Sequence, residues 1–163
     1  MLSRDDVYAV LDSVPDPEIP VISVVELGIV RDASVSIDGT VRVVITPTYS
    51  GCPAMREIEA DIRTALLDAG AQDVYVETVL APAWTTDWIG AEAREKLRRY
   101  GIAPPGKAEA GGLVTLTRAR AAALCPFCGS QDTRLTSEFG STACKAIHVC
   151  NSCRQPFDEF KAI

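Results

Sequence analysis

Six cysteines carry most of the chemistry this sequence could perform, and their spacing sorts them into three groups. Cys125-Pro-Phe-Cys128 and Cys150-Asn-Ser-Cys153 are two Cys-x-x-Cys knuckles with 21 residues between them. Such a knuckle turns both sulfurs toward one ion while backbone amides point at them. Four thiolates make a closed tetrahedral site, which suits structural Zn²⁺ and leaves no position open for catalysis. Metal binding would supply on the order of 10 kcal/mol to a segment with almost no core of its own. A rubredoxin-like iron site or an iron–sulfur cluster is the alternative, because thiolates alone hold those too. Disulfides fit poorly. Five of the six cysteines fall in the last 39 residues, and the chain opens on a charged stretch that does not read as an export signal. Clustered pairs in a reducing compartment point to metal.

The other two cysteines stand apart. Cys52, in Thr48-Tyr-Ser-Gly-Cys52-Pro53, directly precedes a predicted helix whose first residue is Pro53. A sulfur at or near that N-cap would face unpaired amides and the positive end of the helix dipole, which favour thiolate. Transient metal handling suits a single thiolate without a basic partner; a small residue that merely caps the helix is the plainer reading. Cys144, in Phe139-Gly-Ser-Thr-Ala-Cys144-Lys145, is a buried inert thiol on a ribbon strand, a swapped metal ligand, or a reactive thiol beside Lys145. His148 is the sole histidine, read as a surface or hydrogen-bonded residue rather than a ligand. Ser-His or Cys-His hydrolysis would depend on that one residue and is not expected.

Around these residues the chain must build two parts. Val7, Val10, Leu11 and Val14 are spaced for a short helix over 4–13, with Ser3 as N-cap and Asp5 and Asp6 in its first turn. Pro17 and Pro20 bar regular structure next. A strand over 28–37 should turn at Asp38-Gly39 into a return strand bearing Val41, Val43 and Ile45. Pro53 to Gly70 reads as a helix with Met55, Ile58, Ile62, Leu66 and Ala69 as its apolar stripe. Val74, Val76 and Val79 mark a third strand, and residues 91–100 a further helix. The prolines and glycines of 101–112 suggest a linker or wrapping arm. The expected fold is α+β: a small helix-on-sheet sandwich over 1–104, an arm over 105–123, and a zinc ribbon over 124–163. A tail that small needs the metal as a staple.

Composition removes several function classes. No apolar run approaches the roughly 18 to 20 residues of a membrane helix, so a soluble, cytoplasmic protein is expected. Sixteen basic and 22 acidic residues give a net charge of −6. Residues 1–116 hold 10 basic and 18 acidic, whereas 117–163 hold 6 and 4, so nucleic-acid binding is opposed by an acidic body. Neither G-x-G-x-x-G nor a P-loop occurs. The paired Glu and Glu-x-x-His motifs of di-iron carboxylate sites are missing too, and Glu57, Glu59 and Asp61 read as a solvated helix face. A thiol-dependent enzyme would need a second catalytic group near Cys52, which the sequence does not offer. An accessory protein fits better than an enzyme. Trp84, Trp88 and Tyr100 are then either core or the anchors of an interface.

Asp16-Pro-Glu18, Glu26-Leu-Gly-Ile-Val30 and the run from Thr46 to Pro53 resemble the metal–sulfur cluster biosynthesis domain family of SufT-like assembly factors. Pro82-Ala-Trp-Thr-Thr-Asp-Trp-Ile89, Tyr100-Gly-Ile-Ala-Pro-Pro105, the segment Phe139 to Ala146 and the ending Pro156 to Lys161 resemble its PaaD (PaaJ) branch. That branch belongs to the phenylacetyl-CoA oxygenase (1,2-epoxidase) system of aerobic phenylacetate degradation. The resemblance implies an accessory or maturation role without oxygenation chemistry, with the [2Fe–2S] reductase subunit as the expected client. It implies cluster or iron handling at Cys52, with Cys144 as a further candidate; the alternative is a docking subunit that transfers no metal. Glu26 stands where the wider family usually has Asp, which keeps a carboxylate but changes its reach.

Overall fold

In the computed structural model, residues 1–106 and 122–163 are described; most of the arm expected over 105–123 lies outside them. Ser3 caps helix α1 (Arg4–Leu11) through a capping box, its hydroxyl accepting from the Asp6 amide while the Asp6 carboxylate takes the Ser3 amide. Val7 and Leu11 face inward. The proline-bearing stretch that follows is irregular yet buries Ile19, Ile22, Val24 and Leu27. Strands β1 (Val30–Val35) and β2 (Thr40–Ile45) pair antiparallel, and β2 pairs parallel with β3 (Asp73–Thr78), giving the order β1-β2-β3. Parallel pairing needs a crossover, which helix α2 (Met55–Asp68) supplies. Val41, Val43, Ile45 and Val74 of the sheet are buried, as are Ile58, Ile62 and Leu66 of α2, while Arg42 and Glu77 form an ion pair on the exposed face.

Two expectations here change at their edges. The first strand is shorter than 28–37: a bulge between Val30 and Asp32 shifts its register, and Ile37 lies past its end, 95% exposed in the hairpin turn. Helix α2 begins at Met55 instead of Pro53, because residues 51–54 form a separate turn.

The second unit is a four-stranded ribbon sheet in the order β4-β7-β6-β5. Its strands are β4 (Ile102–Ala103), β5 (Thr133–Ser137), β6 (Lys145–Cys150) and β7 (Pro156–Phe160). Helix α3 (Ala91–Tyr100) leads straight into β4, which pairs parallel with β7 at Asp158 and Glu159. Ile102 and Ala103, within the stretch read from composition as a linker or wrapping arm, are therefore a strand of the ribbon sheet. By their internal contacts the two compact units are 1–84 with 88–90, and 85–87 with 91–163. The segment 91–104, grouped by sequence with the first domain, thus packs with the cysteine unit. Among the described residues no helix is long and apolar enough to cross a membrane.

Candidate metal centre and thiol sites

The two knuckles have the same backbone construction. In the first, the Gly129 amide donates to the Cys125 carbonyl at 2.9 Å and the Cys125 amide to the Ser130 carbonyl at 3.0 Å. In the second, the Arg154 amide donates to the Cys150 carbonyl and the Cys150 amide to the Gln155 carbonyl, both at 3.0 Å. Each turn needs a left-handed residue after its second cysteine. Gly129 meets that need freely at φ +74, whereas Arg154 adopts φ +67 against the usual preference of an L-residue.

These turns bring together the Sγ atoms of Cys125, Cys128, Cys150 and Cys153, all within 4.8 Å of one another. Cys125 and Cys153 lie 3.7 Å apart, and Cys128 and Cys150 3.6 Å. A regular tetrahedron of Zn–S bonds of about 2.3 Å has edges of about 3.8 Å, so the residues fit one tetrahedral dication. Their electrostatics fit as well. The Cys153 and Ser152 amides bring the Cys150 thiol down to about 6, against the cost of burying its charge. The Ser130 amide favours the Cys128 thiolate, but burial and the neighbouring thiols outweigh it and push Cys128 up to about 12. One anion forms readily and its neighbours resist until a dication compensates them. With all four positions taken by protein, the ion would brace the fold and bind no substrate.

Beside the metal centre is a buried polar pair. His148 Nε2 and Glu159 Oε2 are 2.7 Å apart across β6 and β7, and the imidazole stacks on Phe157. His148 is thus hydrogen-bonded and is not one of the four clustered ligands. Glu159 was not singled out by sequence; its place in an alternating strand, Pro156-Phe-Asp-Glu-Phe160, was the available signal. Cys144 is buried, its Sγ 3.0 Å from Thr142 Oγ1, and it too lies outside the four-sulfur cluster.

In the first unit, Cys52 is half-buried in the turn ahead of α2. The residue at the N-cap is Ala54, which makes no side-chain cap, so Cys52 stands two positions before the place expected for it. Its carbonyl accepts from the Met55 amide at 3.3 Å, and Gly51 before it turns through φ +84.

Glu26 closes a local ring: its carboxylate accepts from the Ser23 amide and its own amide donates to Ser23 Oγ, both at 3.0 Å. Asp16 accepts from the amides of Glu18 and Ile19 in the same manner. Both carboxylates shape the turns of the irregular segment. The Leu27-Gly28 turn is held from the other side by the tryptophan motif. Trp84 is buried and donates its Nε1–H to the Leu27 carbonyl at 3.0 Å. Trp88 lies against Gly28 and under the Arg31 guanidinium, 3.6 Å from the ring centre. Trp84 is therefore core; of the three aromatics offered as interface anchors, Tyr100 is the most exposed, at 51%.

Comparison with known proteins assigns both units. Residues 4–78 match the family of iron-sulfur cluster assembly proteins, and residues 109–161 match the PaaD zinc beta ribbon domain. The chain is 48% identical to an Escherichia coli protein named as one subunit of 1,2-phenylacetyl-CoA epoxidase, over 97% of this chain and 92% of that one. An Fe-S protein maturation auxiliary factor of Porphyromonas gingivalis is 34% identical over 58% of this chain and 90% of its own. Among solved structures, a DUF59 domain from Bacillus anthracis superposes with a TM-score of 0.54 at 27% identity, covering 58% of this chain and 90% of that domain. A conserved hypothetical protein from Thermotoga maritima gives 0.51 at 33% identity, covering 59% of this chain and 94% of its own.

Proposed function

The chain belongs to the PaaD family of phenylacetyl-CoA epoxidase systems, and from that premise we propose that it matures the iron–sulfur centre of its system's reductase. The observation that carries the reading is the position of Cys52: a half-buried sulfur on a glycine-bearing turn, within the segment that matches cluster assembly proteins. The [2Fe–2S] cluster or its iron is cargo. It is held by the Cys52 thiolate and passes on by ligand exchange: one client thiolate forms an Fe–S bond as the Fe–Cys52 bond breaks, and the other client thiolates displace low-molecular-weight thiols from the remaining iron positions, with no change in oxidation state. The reductase is preferred over the catalytic subunit as client because a carboxylate-held di-iron site requires no sulfide.

In this reading Cys125, Cys128, Cys150 and Cys153 hold a resident Zn²⁺ that supplies folding energy only. Cys144, the other candidate thiol for the cargo, is buried and would have to be uncovered to reach it, and Glu26 acts by shaping its turn. The protein works in the cytoplasm, as an accessory without catalytic turnover. The test is the iron, sulfide and zinc content of protein purified without oxygen, for wild type and Cys52→Ser, together with the cluster content of the reductase co-produced with each. Zinc in both, with iron and sulfide in wild type alone and an under-loaded reductase beside the variant, is the expected result. A reductase fully loaded beside Cys52→Ser would overturn it.

A further inference from the structure

We propose that the metal-bearing end of the ribbon unit is a docking surface for an acidic-rimmed protein of the epoxidase system, with Phe127 as its anchor; this rests on the family reading above but not on metal transfer. Phe127 is the third residue of the first knuckle and is 57% exposed. Its ring is packed edgewise on Gly101, where a β-carbon would come within 3.2 Å of it. Gly101 thus leaves room for one edge of the ring, and the rest of it stays open to a partner. Tyr100, next to that glycine, and Leu124, next to Cys125, are 51% and 54% exposed. Phe127 thus lies against the residue that follows Tyr100, and Phe, Tyr and Arg are residue types that interfaces favour.

Charge indicates the kind of partner. Arg98 and Arg99 end helix α3 beside Tyr100, both against the single carboxylate of Glu95, so this rim keeps an excess positive charge. Exposed Arg154 adds another from the second knuckle, which is tied to the first by Ser130 Oγ and Ser152 Oγ at 2.9 Å. Asp132, close to the knuckles, accepts from the Asn151 side-chain amide at its carboxylate and from the Asn151 backbone amide at its carbonyl, so with Glu95 it sets two negative charges against the three arginines. By sequence the ribbon unit holds 11 basic and 8 acidic residues, against 5 and 14 in the first unit. A basic rim around an apolar centre fits an acidic face with an apolar recess. It also places Cys128, the exposed ligand, where a partner would cover it.

The test titrates the zinc-loaded full chain, immobilised, with each purified component of the epoxidase system at low and at high salt. Wild type is expected to bind one of them, more weakly as salt rises. Phe127→Ser should lose about 30-fold in affinity, the scale of an interface hot spot. Arg98→Glu with Arg99→Glu should lose comparably and flatten the salt dependence, while Leu135→Ser, at an exposed apolar residue elsewhere on the ribbon, should bind as wild type. Zinc content and melting temperature report folding. Should Phe127→Ser lose zinc, the arginine pair, which leaves the knuckle intact, decides the matter. Unchanged affinity in Phe127→Ser and in the arginine pair, or no binding of any component by wild type, overturns the proposal. So does sedimentation showing that Phe127→Ser dissociates a homodimer, since the occupant would then be a second copy. Cys52→Ser keeps the two readings apart: docking lost with Phe127→Ser but retained with Cys52→Ser supports the surface whatever the reductase's cluster content shows.

Discussion

At Gly28 the backbone turns through φ +78, and a β-carbon there would lie 3.0 Å from that of Trp88. Gly28→Ala meets both costs at once, a left-handed conformation and a backbone-anchored contact, and should destabilise the first unit by about 1–3 kcal/mol. The urea midpoint should fall with an unchanged m-value; a midpoint equal to wild type would mean that Trp88 yields freely. Its neighbour makes a different prediction. Trp84→Phe keeps most of the apolar volume but strands the buried Leu27 carbonyl that Nε1–H now satisfies, a loss of about 1–3 kcal/mol. Double-mutant analysis of the two should be non-additive, because both substitutions act on one turn. These tryptophans hold the Glu26-Leu-Gly28 motif by packing, so a loss of activity on mutating Glu26 should first be read as a disturbed turn.

Helix α1 was the most legible element, because a capping box, an acidic first turn and an apolar stripe all agree locally. Its cap also carries a pH signature. Ser3 donates from its hydroxyl and its amide to Asp6 and holds that carboxyl below the usual carboxylate range. A depressed carboxyl stabilises the fold above its unfolded pKa and loses that contribution as pH falls through the folded value. The stability gap between wild type and Ser3→Ala should therefore be present at neutral pH and narrow on acidification below about pH 4; a gap that held constant would assign the cap to the bond the hydroxyl accepts from the Asp6 amide. The sheet, the α2 stripe and both knuckles were readable for the same reason, a period or spacing with a local cause. The N-cap of α2 was not, since an extra turn between Pro53 and Met55 has no periodic signature. Nor was β4: two residues, Ile102 and Ala103, become a strand only because β7, far along the chain at Pro156–Phe160, offers an edge. Leu97, fully buried in α3, tests that regrouping. Leu97→Ala should cost about 2–5 kcal/mol, and hydrogen exchange should show the loss in β4–β7 while β1–β3 keep their protection.

Two units with opposite charge balance also differ in what holds them up. The first buries a continuous set of aliphatic side chains between helices and sheet, including Val7, Leu11, Val43, Ile45, Ile62 and Leu66, and draws its stability from them. In the second, one core cluster is Ala103, Ala123, Cys125, Cys150 and Phe157 with Cys153 against it, half of them candidate metal ligands, while Leu97, Ile102, Ala146 and Phe160 are buried as well. Removing the ion would leave four thiols crowded together and take away on the order of 10 kcal/mol of binding energy, comparable to the whole stability of a small domain. Chelation at neutral pH should consequently unfold the ribbon alone. Amides of β5, β6 and β7 should lose their protection from exchange while those of α1, α2 and β1–β3 keep theirs. A heat scan should then resolve one transition where the metal-loaded chain shows two, and added Zn²⁺ should restore the second. Collapse of both units together on chelation would overturn this account, because it would require the first unit to draw its stability from the metal.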